Sequence, residues 1–164
     1  MPLLLLVKCS VILSLVIFIV SMKKIFSASI LAFSLNFAWE ISQSFLYAPH
    51  YNGVVELLEV HFLASLGDVA MVWAILSLTE LLVEKFAKKR NKNWQKIWLI
   101  LSLGFLLSVS VEKYALSNGL WAYNFWMPVV PWLKVGLTPV LQMILIPMIV
   151  WHNMLGTGLT HTKS

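Results

Sequence analysis

Charge is what this sequence has least of. Seven acidic and twelve basic side chains are spread over 164 residues, and 60% of the residues are hydrophobic. A soluble domain of this length cannot bury so much apolar surface and still present a wet exterior. With a mean hydropathy of +0.84, the chain belongs to the membrane class before any segment is inspected. Cysteine is nearly absent as well. The single Cys9 lies in an apolar run, so no disulfide framework can form within one chain, and it reads as a buried, inert thiol. Several motifs are also missing: HExxH, any Cys/His cluster, a Walker loop and GxSxG. No zinc-hydrolase, P-loop or serine-hydrolase signature is therefore present. The formal charge of +5 is read as a matter of membrane topology and not of nucleic-acid binding.

What the chain does have is long apolar runs. The reading is an all-α membrane protein, one domain over 1–164, with five transmembrane helices at about 3–22, 25–47, 59–83, 96–116 and 134–154. Each has roughly the 20 residues needed to cross about 30 Å of hydrocarbon. "SMKK" after the first run looks like a stop signal, so that run is kept as a helix and not as a cleaved leader. Lys23, Lys24, Lys85, Lys88, Lys89, Arg90, Lys92, Lys96 and Lys163 all fall on one side of such a bundle. That side is expected to be cytoplasmic in a plasma (inner) membrane, with the N-terminus outside and the C-terminus cytoplasmic. Lys8, Lys113 and Lys134 fall near outer helix ends, where they can snorkel. The run "EKFAKKRNKNWQK" reads as a solvated basic loop. Glu56, Glu59, Glu80 and Glu84 lie at span ends and read as solvated.

The stretch "APHYNGVVELL" at 48–58 contains an Asn-Gly turn signal. The other outer stretch, "SNGLWAYNFWMPVVPWL" at 117–133, is crowded with aromatics. It reads as an interfacial belt or as a lid over a cavity.

The polar residues inside the spans follow helical spacing. Asn36, Glu40, Gln43 and Tyr47 lie four, three and four apart. His61, Ser65 and Asp68 follow at four and three, while Ser108 and Glu112, and Thr138 and Gln142, are four apart. Each set occupies one helix face. Allowing for helices of alternating direction, all four sets reach a similar depth in the outer half. Such side chains avoid lipid, so the stripes should meet. The expected object is a pocket lined by Glu40, His61, Asp68, Glu112 and Gln142 under the aromatic loop. Pro139 and Pro147 are expected to kink the last span and open space beside Gln142.

Acids in such a site cannot all be ionised without compensation. One should be neutral and able to give a proton, and an ionised neighbour or His61 could take one. Glu40, Asp68, Glu112 and His61 are the candidate catalytic residues. Asn36, Trp39, Gln43, Trp121, Tyr123 and Gln142 are the candidate substrate-binding residues, with aromatic faces suited to a developing cation. No cofactor is called for. A metal is weakly signalled and none is assigned, and His152 and His161 pair with nothing at matching depth for haem. Each residue also has a structural reading: Glu40 as a hydrogen-bond partner for a neighbouring helix, His61 as a cap near the interface, Glu112 as a helix-end group beside Lys113, Gly67 as a close-packing site, and Trp39 and Trp73 as packing residues.

The patterns "NFAWEISQSFLY", "HFLASLGDVAMV" and "VEKYALSNGLWAYNFWMPVVPWLKVGLTPVLQ" are together similar to a family of small bacterial multi-pass inner-membrane proteins. That likeness spans about residues 30–150 and brings no activity with it. "NFAWE" also resembles the Asn-x-x-Trp-Glu segment of the integral-membrane terpene cyclases. The resemblance implies that Glu40 helps protonate a substrate. Those enzymes have more spans and draw a second acid from a late helix, so Asp68 or Glu112 would have to stand in. The segment from Glu112 through Tyr123 is loosely similar to carotenoid-modifying membrane enzymes. Three functions emerge as expectations: an enzyme acting on an isoprenoid or other lipid, a transporter or ligand-binding protein using the acids for a cation or protons, or an assembly protein in which they bind helices together. The expected partners are membrane lipids and an apolar substrate, with no nucleic acid.

Overall fold

The computed structural model describes residues 2–48, 51–86 and 92–156, with side chains from Met22 to Leu155. Cys9 and Lys8 therefore lack described side chains. Pro49, His50, Lys88, Lys89, Arg90, His161 and Lys163 lie outside the described residues, as does the centre of the basic run.

Four helices make up the bundle among the described residues: α1 (Pro2–Gln43), α2 (Val54–Phe86), α3 (Lys92–Ser117) and α4 (Leu137–Gly156). Among the described residues four stretches are long and apolar enough to cross a membrane; the first, Met22–Leu46, takes in the second half of α1 and the short turn after it, and the others lie in α2, α3 and α4. The expectation of five separate helices is thereby corrected to four among the described residues. The first two runs form one helix of 42 residues. The cause is local: residues 19–27, "IVSMKKIFS", contain no glycine or proline, so nothing stops the helix at the lysine pair. At 1.5 Å per residue α1 is about 63 Å long, twice the hydrocarbon thickness. With four helices, an outside N-terminus no longer follows from counting. Lys23, Lys24, Lys85, Lys92 and Lys96 still gather at one end of the bundle, the basic end; the aromatic loop marks the other.

The two halves of the interior differ. Toward the basic end, Ala28, Ala32, Val72, Ile75, Ile100, Ile146, Val150 and Trp151 form an apolar core. Toward the aromatic end, the polar side chains of Asn36, Gln43, His61, Ser65, Asp68, Ser108, Glu112 and Gln142 are buried beside apolar ones such as Leu46, Ala115, Val140 and Met143. Phe26, Leu63, Leu81, Trp98, Leu106 and Leu145 face outward, as lipid contact requires. Glu80 is not merely solvated: it pairs with Lys96 at 2.6 Å and ties α2 to α3. Glu56 accepts the Asn52 N–H at 2.6 Å, closing the start of α2.

Two glycines shape the helix ends and contacts. Gly119, at φ +65, ends α3: the Leu120 N–H bonds the Ala115 carbonyl and the Gly119 N–H that of Leu116. Gly104 lets α3 lie directly on α4, because a Cβ there would collide with the Met143 carbonyl. Gly104→Ala is therefore expected to destabilise the bundle by about 2 kcal/mol. A thermal melt in detergent checks this, and an unchanged midpoint rejects it.

The aromatic loop is structured. Val129–Val130 (β1) pairs antiparallel with Val135–Gly136 (β2), and Tyr47 bridges Tyr123. The Ala48 N–H bonds Ala122 O at 2.8 Å and the Asn124 N–H bonds Leu46 O at 2.8 Å. The loop is thus laced to the end of α1. Pro147 sits inside α4, which runs on past it to Gly156.

Candidate functional site

Four helices and the loop enclose a cavity of about 440 Å³. Glu40 and Tyr47 reach it from the α1 side, His61 and Asp68 from α2, Ser108 and Glu112 from α3, Gln142 from α4 and Trp121 from the loop. Helical spacing explains the convergence, since each helix turns one polar face to the bundle axis. Val60, Ala64, Met71, Leu120, Pro139 and Met143 supply the apolar lining.

Behind this lining stands a relay of side-chain amides. Gln43 Nε2 donates to Glu40 Oε1 at 2.8 Å and to Gln142 Oε1 at 3.1 Å. Gln142 Nε2 donates to Asp68 Oδ2 at 2.8 Å and to Asn36 Oδ1 at 2.9 Å. Trp39 Nε1 donates to Gln43 Oε1 at 3.2 Å, and Asn36 Nδ2 to the Ala32 carbonyl at 2.9 Å. Both N–H groups of each glutamine are used, and both carboxylates receive one. The amides cannot be flipped without facing oxygen to oxygen, so the relay has a fixed direction. It joins α1, α2 and α4 at one depth.

His61 is buried, and its Nδ1 lies 2.7 Å from the Leu57 carbonyl. A carbonyl only accepts, so Nδ1 carries the hydrogen in this contact. Glu40 is within electrostatic range of His61, and Asp68 within range of Glu40 and Glu112. Among the described residues no lysine or arginine lines the cavity. Among them too, no three His, Cys, Asp or Glu side chains converge as ligands for one metal ion.

Glu112 has different company. Its Oε2 accepts from the Tyr123 hydroxyl and from Trp121 Nε1 at 3.4 Å. The Tyr123 oxygen in turn accepts the Gly136 N–H at 2.6 Å. The roof is therefore fastened to α3 through Glu112. Burial, then the Glu112 charge, pushes the Tyr47 phenol above its ordinary value. Burial and the hydrogen bond to Glu112 do the same to Tyr123. A raised folded-state value means the contribution is fully present below the ordinary phenol value of about 10 and is lost as pH climbs past it. The contribution of these two phenols to the melting midpoint should accordingly hold level up to about pH 9 and fall above about pH 10. Tyr123→Phe should cost about 1.5 kcal/mol at neutral pH and flatten the alkaline fall. Melts across pH check both; an equally steep fall in the variant rejects Tyr123 as its source.

Placement differs among the other expected residues. Asn36 and Gln43 are buried in the relay, and Trp39 is half-buried against the apolar core. None of these three lines the cavity. Ser65 bonds the His61 carbonyl, and Thr138 turns to Met127 in the loop, so neither stripe member reaches it. Gly67 lines the cavity where no close helix contact uses it. Trp73 donates to Ser29 at 3.1 Å, a plain α1–α2 contact. His152 lies at the opposite end of α4. Tyr47, Met71 and Met143 line the cavity without belonging to the expected set of site residues. Tyr47 does continue the Asn36–Glu40–Gln43 spacing, a signal available in the sequence; the two methionines carry no such signal. In comparisons with known proteins, no family model, no curated protein and no solved structure matches the chain.

Proposed function

We propose that the protein is a membrane enzyme that performs proton-transfer chemistry on an isoprenoid or another apolar lipid. The observation that carries this reading is the amide relay. Glu40 and Asp68, on different helices, are held at one apolar-walled cavity by the same Gln43–Gln142 pair. In the proposed reaction the Glu40 carboxylic acid gives its proton to a substrate double bond, and positive charge develops on the adjacent carbon. Asp68, as carboxylate, removes a proton from a neighbouring carbon and restores a double bond. One proton enters and one leaves, so no redox partner is required. His61, in electrostatic range of Glu40, assists. Tyr47 and Trp121 line the cavity and supply aromatic rings that would stabilise the cation. The likeness of "NFAWE" to the membrane terpene cyclases supports the role given to Glu40.

The basic end is proposed to face the cytoplasm of a plasma (inner) membrane, by the positive-inside rule. That would put the cavity in the outer half of the bilayer.

One observation favours a second reading. Three carboxylates and no lysine or arginine line the cavity among the described residues, which also suits binding or moving a cation or protons.

Lipid and isoprenoid profiles of a host with and without this chain separate the two. An enzyme leaves one substrate accumulating and one product missing. An unchanged profile removes the enzyme and leaves the ion reading, which proteoliposome flux measurements then test.

A further inference from the structure

On α2, Val60, Ala64, Gly67, Met71, Ala74 and Leu78 succeed one another at spacings of four, three, four, three and four. They therefore lie on one helical face. The first four line the acidic cavity, and the last two line a separate groove of about 310 Å³. The facing wall of that groove is α3, through Leu103, Leu106, Leu107 and Ser110. Met71 is one turn from Ala74 on one wall, and Ser108 adjoins Leu107 on the other. Cavity and groove are thus consecutive stretches of a single seam between α2 and α3.

The seam reaches the lipid-facing surface. Ala64 and Gly67 line the cavity and are exposed, next in sequence to the outward-facing Leu63 and Leu66. A Cβ on Gly67 would have no neighbour within 4 Å. The two stretches differ in chemistry. The cavity carries three carboxylates, whereas no charged side chain lines the groove among the described residues. An occupant of both must have a head that carries or develops positive charge and an apolar tail.

We propose that the α2–α3 seam binds a single-chain amphiphile sideways from the membrane, with its head at Glu40 and Asp68 and its chain along Ala74 and Leu78 against Leu103 and Leu107. The ten residues from Asp68 to Leu78 correspond to about 15 Å of helix, half the hydrocarbon thickness. The chain stays among lipid tails throughout, so loading requires no passage across headgroups. This rests on the reading of the cavity as a substrate site and adds the shape of the substrate.

The test uses the full chain in lipid nanodiscs with hexadecylamine bearing a mid-chain diazirine. The ammonium stands in for the positive charge, and the diazirine reports where the chain lies. After photolysis and digestion, label is expected on the α2 peptide containing Ala74 and Leu78 and on the α3 peptide containing Leu103 and Leu107. Excess unlabelled hexadecylamine should remove it. Ala74→Trp, at an exposed position that fills the groove, should cut the competed label about tenfold without moving the melting midpoint. Leu141→Trp, on the outer face of α4, should leave it intact. Label spread evenly over outward residues such as Phe26 and Leu145, label that competitor does not displace, or full labelling in Ala74→Trp each overturns the proposal. Seam labelling in a protein whose deletion leaves host lipids unchanged upholds the seam and removes the enzyme.

Discussion

Gln142→Met should melt about 10 °C below the parent protein. Methionine keeps the length and nearly the volume of glutamine, so packing around Val140 and Met143 is little disturbed. What it removes is every hydrogen bond of the relay's central member. Asp68 Oδ2 and Asn36 Oδ1 each lose a donor, and Gln43 Nε2 loses an acceptor. Gln142 is 1% exposed, so no lipid or bulk water replaces them directly. A stranded buried polar group costs about 1–3 kcal/mol, so three of them amount to roughly 3 kcal/mol even after neighbours adjust. The measurement is a thermal melt in detergent followed by helical circular dichroism. A midpoint within a degree or two of the parent would mean that the relay does not hold the helices in register, and the geometry assigned to Glu40 and Asp68 would lose its support.

That relay also marks where sequence reasoning stops. Spacing alone puts Glu40, His61, Asp68, Glu112 and Gln142 on inward faces at one depth, because a 3.6-residue period and an aversion to lipid leave few alternatives. Spacing does not say which amide donates to which carboxylate. That depends on helix neighbours: Gln142 of α4 stands between Asn36 of α1 and Asp68 of α2. Glu112 looks equivalent to the other acids in one dimension. Its partners Trp121 and Tyr123 come from a loop whose strands are two residues long, too short for any alternating pattern. The error in helix count has a different origin. Lys23 and Lys24 read as a loop because charge usually ends a span, but a helix stops only when backbone or side-chain chemistry stops it, and "SMKK" offers none. Composition reports where a segment would sit in a bilayer, and propensity reports whether the backbone breaks. At residues 19–27 the two disagree.

The roof changes what the three acids can be asked to do. Glu112 Oε2 is occupied by a phenol and an indole, and the phenol also holds the β2 backbone through Gly136. Its loss should loosen the lid before it alters any proton transfer. Glu40 and Asp68 receive only amide N–H groups in the relay, which orient a carboxyl without taking its proton.

Glu40→Gln is therefore the sharpest probe of chemistry. Glutamine has the shape of glutamate, and its Oε1 can still accept the Gln43 N–H, so the relay and the melting midpoint should survive. What disappears is an exchangeable carboxyl proton. Removal of a positioned acid typically costs a hundredfold to about ten-thousandfold in rate, and that is the loss expected in formation of whichever lipid product the deletion host lacks. Glu40→Leu separates this from a purely structural role. If Glu40 only binds helices together, glutamine should restore what leucine destroys, in function and in stability alike. If it gives a proton, both variants should be inactive while only leucine lowers the melting midpoint. Asp68→Asn keeps an acceptor for Gln142 and should behave as Glu40→Gln does. Full product formation in both amide variants would remove Glu40 and Asp68 as the acid and the base of the proposed reaction.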